Sequence, residues 1–567
     1  MSSLGRRFKE RRIVQWGLAY LGGAWVALQV LDALADPWDV PGYVGRALTV
    51  ILAVGFFVTM VVAWYHGEKG RQRVSGPELL LIGALAVCAG ALLSLVSHDE
   101  DAAQPSEMAG EATPAENTVA VLPFVDLSAD GDQQYFADGL AEEITSALTR
   151  DGRVRVAART SSFSLRDRPI QDVGAALSVA AVLEGSVRTD GDRMRITAQL
   201  VNVADGFELW SRQFDRTLES ILQTQAEISA AVVAELTGTA TAETGRVGTI
   251  PAEAYDLYVQ GRFAWNRRTE RDLLRAVDLF QAAIDRAPDY ARARSGLADA
   301  YAVLGFYQYL PPDEAFPAAA RLAQEALALD PELVEALATL AYVRLYHDWD
   351  WQAAEATFLR AVELNPRYSV AHQWYGNLLV VLGRTAEALR EFRLAAEIDP
   401  LSPIVRAVTP WALYYGREYG QALELLDQLI EVEDRFMLGH YWKGWVQQQT
   451  GDLDGALRSF RSAVQLADSS AITLAGLAGA EALAGDTREA EELLQRLADR
   501  SRTSNPPPYE IGKVHLALGQ VDEAFRWFER AFEERANQLV FIAVDPEVDL
   551  VRADLRFRDL LSRMKLD

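Results

Sequence analysis

Three long apolar runs open the chain, and the pattern changes sharply after them. Residues 13–35, 44–65 and 79–97 are almost free of charge. Each is close to the ~20 residues that cross a bilayer core as a helix. Arg6, Arg7, Lys9, Arg11 and Arg12 precede the first run, and Lys69, Arg71 and Arg73 lie between the second and third. The loop between the first two carries Asp36 and Asp39, and Asp99, Glu100 and Asp101 follow the third. Arg46, just inside the second run, is the one departure. Short flanks rich in Lys and Arg stay on the cytoplasmic side. The pattern therefore predicts a three-helix membrane anchor over residues 1–97, with a cytoplasmic amino terminus and residues 98–567 on the far side. A cleaved signal peptide is the alternative for the first run, but two more runs follow and no small-residue cleavage site stands at the expected place. Cys88 reads as a small residue within its span, and Asp32 as an acid near a span end.

Residues 98–117 are polar, rich in Ala, Glu and Pro, and without aromatic residues, which predicts a disordered tether. Period-two and helical patterns then alternate over residues 118–240. Short apolar runs at 119–124, 154–157 and 180–187 read as strands. Phe136, Leu140, Ile144 and Leu148 recur at helical spacing, and a second short helix covers Val173 to Leu177. Around Asp190 and Gly191 comes a hairpin signal, followed by strict alternation over 193–200 and a further strand at 207–211. Residues 221–236 close the domain as an amphipathic helix. The order β-α-β-α-β-β-β-α predicts an α/β fold with a mixed sheet.

The stretches AVLPFVDLSADGDQQYFADGLAEEITSAL, RVAARTSSF, VLEGSVR and MRITAQLVNVADGFELWSRQFDR resemble the TolB-like (FlgO-related) domain of bacterial envelope proteins. The stretch WYHGEKGRQRVSGPELLL resembles the membrane block found beside it. The resemblance implies a domain that follows a membrane anchor and precedes tetratricopeptide repeats, placed at a bacterial inner membrane with residues 98–567 periplasmic. Some relatives carry a nucleotidyl cyclase or kinase domain at the amino terminus; neither is expected ahead of the first apolar run here. Thr160, Ser161 and Ser162 read as a polar loop at a strand end, since residues 99–346 hold no His to serve as a base.

Residues 251–544 repeat with a period of 34. Alanines stand at 354, 388, 422, 456, 490 and 524, each followed four residues later by Phe358, Phe392, Leu426, Phe460, Leu494 or Phe528. Small residues precede them at Gly376, Gly444, Ala478 and Gly512, and turn glycines stand at 383, 451, 485 and 519. This is the pattern of the tetratricopeptide repeat, a helix-turn-helix unit. About eight units are expected. The second carries about nine extra residues around Phe306–Phe316, and the fifth, with Pro403 and Pro410, should begin with a short or kinked helix. Residues 545–567 are expected to cap the array. The expected fold is multi-domain: three transmembrane helices, an α/β TolB-like domain and an all-α solenoid.

Charge and chemistry narrow the function. The 567 residues carry 55 basic and 80 acidic side chains, a net charge of −25. Nucleic-acid binding needs surplus Lys and Arg, so no nucleic-acid partner is expected. The single cysteine excludes an intrachain disulfide framework. No phosphate-cradling loop, nucleophile elbow or metal motif is present, so no catalysis, cofactor or metal is expected. The expected role is a non-enzymatic membrane-anchored adaptor with a protein or peptide in its groove, and the lipid bilayer as its other partner. A transmembrane receptor or a self-assembling envelope protein, with homo-oligomers allowed, are the alternatives. First helices of such repeats line the concave groove, and the register places Tyr346, Asn377, Trp411, Tyr414, Tyr441 and Trp445 on it. Aromatic residues with a polar handle suit a binding surface, and Asn377 resembles the residue that clasps a peptide backbone in this repeat family. Packing between neighbouring units is the competing role for the aromatics.

Overall fold

The computed structural model describes residues 117–567 except 130, 191–192, 218–219, 240–249, 468–469 and 501–506. The first six strands and four helices are β1 (Thr118–Val121), β2 (Val125–Asp126), α1 (Gln134–Asp151), β3 (Arg155–Val156), α2 (Arg159–Ser164), α3 (Ile170–Leu177), β4 (Ala181–Asp190), β5 (Arg193–Asn202), β6 (Glu208–Thr217) and α4 (Ile221–Thr237). β1 is apolar on both faces because it lies inside the sheet, whose order is β3-β1-β4-β5-β6 with β2 beside β4. β1 runs parallel to β3 and β4, and β4, β5 and β6 form an antiparallel meander. The alternation along β5 buries Met194, Ile196, Ala198 and Leu200 beneath α1 and α4. On the opposite face α3 covers Ala120 and Val182 with Val173.

The segment at Thr160–Ser162 differs from the expected polar loop. It is the helix α2, and Ser161 is fully buried. Its hydroxyl has a partner far along the chain, which periodicity cannot report.

Among the described residues sixteen helices follow as eight antiparallel pairs: α5 (Ala252–Asn266) with α6 (Glu270–Arg286), α7 (Ala291–Phe306) with α8 (Pro312–Leu329), α9 (Val334–Val343) with α10 (Trp351–Leu364), α11 (Ser369–Val381) with α12 (Thr385–Ile398), α13 (Pro403–Tyr415) with α14 (Tyr419–Val432), α15 (Met437–Thr450) with α16 (Leu453–Leu466), α17 (Ala471–Leu483) with α18 (Thr487–Arg500), and α19 (Pro508–Ala517) with α20 (Val521–Glu533). The repeated columns explain the pairing. Ala388 and Phe392 on α12 are fully buried against α11, and a Cβ on Gly376 would strike the Phe392 ring. That contact is what requires a glycine there. Three features modify the repeat. The extra residues of the second pair go partly into α8, which begins at Pro312 and runs for 18 residues. α9 ends in a π-helical turn, Arg344–Asp348. The fifth pair keeps a first helix of 13 residues, as long as α11, with Pro403 in its first turn and Pro410 inside it; it is not shortened.

After α20 come two 3-10 turns, Asn537–Phe541 and Pro546–Val551, and a last helix, α21 (Leu555–Met564). Leu539, Val540, Phe541, Ile542 and Val548 are buried. This segment returns to earlier pairs: Asn537 Nδ2 donates to the Phe306 carbonyl at 2.7 Å, and Trp351 Nε1 donates to the Met564 carbonyl at 3.0 Å.

The expected fold class and the expected location both need correction. Among the described residues no helix is long and apolar enough to cross a membrane. The described helices are amphipathic or packed in a core, and the longest run to 18 residues, short of the ~20 apolar residues of a span. The runs at 13–35, 44–65 and 79–97, on which the three transmembrane helices and the inner-membrane, periplasmic placement rested, lie outside the described residues. So does most of the tether at 98–117.

Candidate binding groove

First helices of the pairs face inward and enclose a chamber of about 2050 Å³. Its wall takes Trp265 from α5, Tyr342 from α9, Trp374 and Asn377 from α11, Trp411 from α13 and Trp445 from α15. Phe541 of the C-terminal segment closes part of it. That ring lies 5.1 Å from Trp411 and 5.2 Å from Tyr415, centroid to centroid.

The α/β domain forms another wall, through residues of α1 and α2. Its docking is ionic and buried. Glu142 on α1 accepts from Arg262 Nη2 at 2.6 Å and from Asn266 Nδ2 at 3.2 Å, with Arg159 Nε 2.7 Å away. Burial raises the pKa of Glu142, but Arg262 and then Arg159 outweigh it and hold the carboxyl at about 2. Glu143 pairs with Arg292 and accepts from Tyr258 Oη at 3.1 Å. Tyr135 Oη donates to Asp256 at 2.9 Å. At the far side Ser161 meets Asp399, between the fourth and fifth pairs. The domain thus bridges the first and fourth pairs and walls the groove between them.

Two buried acids near the groove are pushed the other way. Burial lifts Asp299 to about 6 despite Arg262, and lifts Glu510 to about 7 despite Lys513. An uncompensated carboxylate in low dielectric favours its neutral form. Among the described residues no group of three or more His, Cys, Asp or Glu side chains is placed to hold a metal ion.

With this geometry in hand, the comparisons are specific about the helical pairs. A tetratricopeptide-repeat family model matches residues 253–308, 349–403, 411–471 and 443–506. The helical array is a tetratricopeptide-repeat solenoid. A Rhizobium meliloti (strain 1021) protein provisionally named adenylate cyclase 3 is 36% identical over 211 residues, which is 36% of this chain and 36% of that protein. The transcriptional regulator HilA of Salmonella typhimurium (strain LT2) is 21% identical over 324 residues, 56% of this chain and 57% of its own length. The chain therefore spans from about a third to just over half of these relatives. The crystal structure of yeast Tom70 covers 94% of this chain and 99% of its own at 14% identity, with a TM-score of 0.37.

On this tetratricopeptide groove the six expected residues divide. Tyr346, Asn377, Trp411, Tyr441 and Trp445 all line the chamber; Tyr414 does not. Tyr414 stacks behind Trp445, with centroids 5.3 Å apart and planes at 26°. The aromatic members are at most 6% exposed and belong to one continuous hydrophobic cluster. Asn377 differs from them. Its Nδ2 donates to Tyr346 Oη at 3.2 Å, while its buried Oδ1 has no partner among the described residues. A buried acceptor left unpaired costs about 1–3 kcal/mol. Sequence reasoning missed Trp265, which shares its repeat position with Asn377, Trp411 and Trp445; it also missed Tyr342 and Trp374, first-helix residues in other columns, and the wall supplied by α1. Trp265 was legible in the repeat register. The wall was not, because no repeat pattern reports a contact with another domain.

Proposed function

We propose that the chain is a non-enzymatic adaptor that holds a protein or peptide segment in its tetratricopeptide groove. Tetratricopeptide folds bind such partners in this place, and Asn377 Oδ1 carries the reading here. It is a buried acceptor on the groove wall, suited to a backbone N–H of an extended chain. The α/β domain, in its resemblance to TolB-like domains, contributes by walling the groove. The cyclase name of one relative does not bear on this, since the chain spans 36% of that protein.

The test is a photo-cross-linking residue at Gln373, on the groove, against one at Arg390, on the exposed face of α12. The groove position should give a discrete cross-linked partner that disappears in Asn377→Ala. Equal yields from the two positions would sink the adaptor reading.

A further inference from the structure

The sheet of the α/β domain has two unlike edges. At one, β3 is two residues long. At the other, β6 runs for ten residues, and among the described residues no strand pairs with its outer side. A bulge takes up one end: Trp210 stands opposite Leu200 and Glu208 opposite Val201, which leaves Leu209 unpaired. From Trp210 to Thr217 the strand is regular. Half of its backbone N–H and C=O groups face β5, and the other half point away from the sheet. Sheet edges are commonly kept short or interrupted by proline; this stretch contains no proline.

Its side chains form two rows. Trp210, Arg212, Phe214 and Arg216 lie on the side covered by α4, where Phe214 is buried and Arg216 Nη2 donates to Glu227 at 3.0 Å. Arginine and ring alternate along this row. The Arg212 guanidinium is 6.0 Å from the Trp210 ring and 5.9 Å from the Phe214 ring, and that of Arg216 is 5.6 Å from Phe214. Ser211, Gln213, Asp215 and Thr217 make up the other row and are exposed, with Asp215 held by Arg195 at 2.7 Å.

This pattern is self-complementary in one register. Antiparallel pairing with a second copy about a two-fold axis at Gln213 joins residues 210–216. It sets Arg212 opposite Phe214 and Arg216 opposite Trp210, so the alternation of arginine and ring continues across the seam. On the other row Ser211 meets the Asp215 carboxylate and Gln213 meets its own copy. No like charges stand opposite one another. Moving the axis by one residue, to Arg212 or to Phe214, sets arginine against arginine, which destabilises a cross-strand pair. We infer that two copies of this chain join their sheets through β6 about an axis at Gln213, with α4 of each on the same face of the joined sheet. Main-chain hydrogen bonds supply the affinity and the side-chain rows supply the register. Two grooves then belong to one assembly, and a partner that carries its segment twice gains avidity without any new contact. The seam stands apart from the groove reading, and either can fail alone.

The register is tested on the full-length chain with Cys88, its one native thiol, replaced by serine. Directly opposed Cα atoms of an antiparallel pair lie about 5 Å apart, within disulfide reach. Q213C should therefore form a disulfide-linked dimer under mild oxidation. S211C, about 14 Å from its own copy, should link about tenfold more slowly or not at all, whereas S211C/D215C should link as Q213C does. In the unlinked chain Ser211→Asp opposes Asp215 and should raise the dimer dissociation constant about tenfold, because the change counts twice across the axis. Ser211→Lys should lower it. Sedimentation over a range of concentrations reads both, and circular dichroism of these exposed-site variants should match the parent. A monomer at every concentration, equal linking of Q213C and S211C, or a dimer indifferent to both charges overturns the inference. The first of these results is what a strand donated by a different protein would give.

Discussion

The hydroxyl of Ser161 donates to Oδ1 of Asp399 at 2.6 Å, joining two residues 238 positions apart. The same carboxylate oxygen accepts the Ser161 backbone N–H at 3.0 Å, and the Ser161 hydroxyl in turn accepts from the Leu401 N–H at 2.9 Å. One serine thus ties α2 of the α/β domain to the junction of the fourth and fifth repeats. Together with Glu142 and Arg262 at the first repeat, it fixes the domain at two places along the solenoid.

Ser161→Ala removes a buried donor and leaves the Asp399 carboxyl and the Leu401 N–H under-satisfied. Burial already pushes Asp399 up from its ordinary range. The expected cost is about 1–3 kcal/mol. Urea unfolding followed at the α/β domain should show it as a lowered midpoint, with faster proteolysis near α2. A midpoint equal to that of the parent chain would mean that this tie does not help hold the domain in place.

Acid and base should act on different parts of the molecule. Glu142 is held at about 2 in the fold, below its ordinary 4.5. Its contribution is present above about 4.5 and is lost as pH falls toward 2, so acid should undock the α/β domain. Burial raises Glu510 to about 7, and it faces one base, Lys513, and two further acids, Asp545 and Glu547. Its folded form favours the proton, so the stability linked to it is present below about 4.5 and is lost as pH rises through 7. Glu510→Gln should raise the thermal midpoint at pH 8 by an amount corresponding to about 1–3 kcal/mol and flatten the slope between pH 5 and 7. An unchanged slope would place the titrating group elsewhere.

The sequence announced what repeats and hid what happens once. Ala388, Phe392 and Gly376 recur in register because every pair must solve the same packing problem, so the helical array was readable from spacing alone. β5 was equally open, since a half-buried strand alternates. The docking of α2 was not readable: Ser161 looks like a loop serine until Asp399 is beside it. The left-handed positions of Gln308, Trp349 and Arg417 were hidden too, because the turn column is recognisable only where it keeps its glycine. For the groove, the register named residues on helices that line the chamber but could not separate Asn377, whose Oδ1 has no partner among the described residues, from Trp411 and Trp445, which are packed among other rings.

That distinction changes what a tryptophan substitution should do. Trp411 and Trp445 are 6% and 5% exposed and sit in the main hydrophobic cluster. Each Trp→Ala change should cost about 3–5 kcal/mol of stability, measured by denaturant unfolding, and any loss of partner binding would follow from that. Asn377→Ala, in contrast, should weaken binding with little loss of stability. If both tryptophan variants keep the parent's stability while losing partner, the rings belong to the binding surface and not to the core.

The C-terminal segment makes the sharpest demand. Phe541 lies against Tyr346, Trp411 and Tyr415, side chains from the third and fifth repeats. Arg417 reaches Asp549 from the turn of the fifth, and Val544 lies 3.8 Å from where a Cβ on Gly383 would stand, in the turn of the fourth. One short stretch therefore clasps successive repeats, beside the point where the eighth pair itself meets the third, with the Phe532 and Trp349 rings 5.2 Å apart. In a solenoid without such a clasp, stability is close to a sum of local terms. Here a distant term is added, and removing it should soften several repeats together. Phe541→Ala should cost about 3–5 kcal/mol. Hydrogen exchange should then speed up in residues 537–551 and in the first helices of the third to fifth repeats, while α1 and β4 keep their protection. Faster exchange confined to residues 537–551 would show that the segment merely rests on the array, and the clasp would have to be given up.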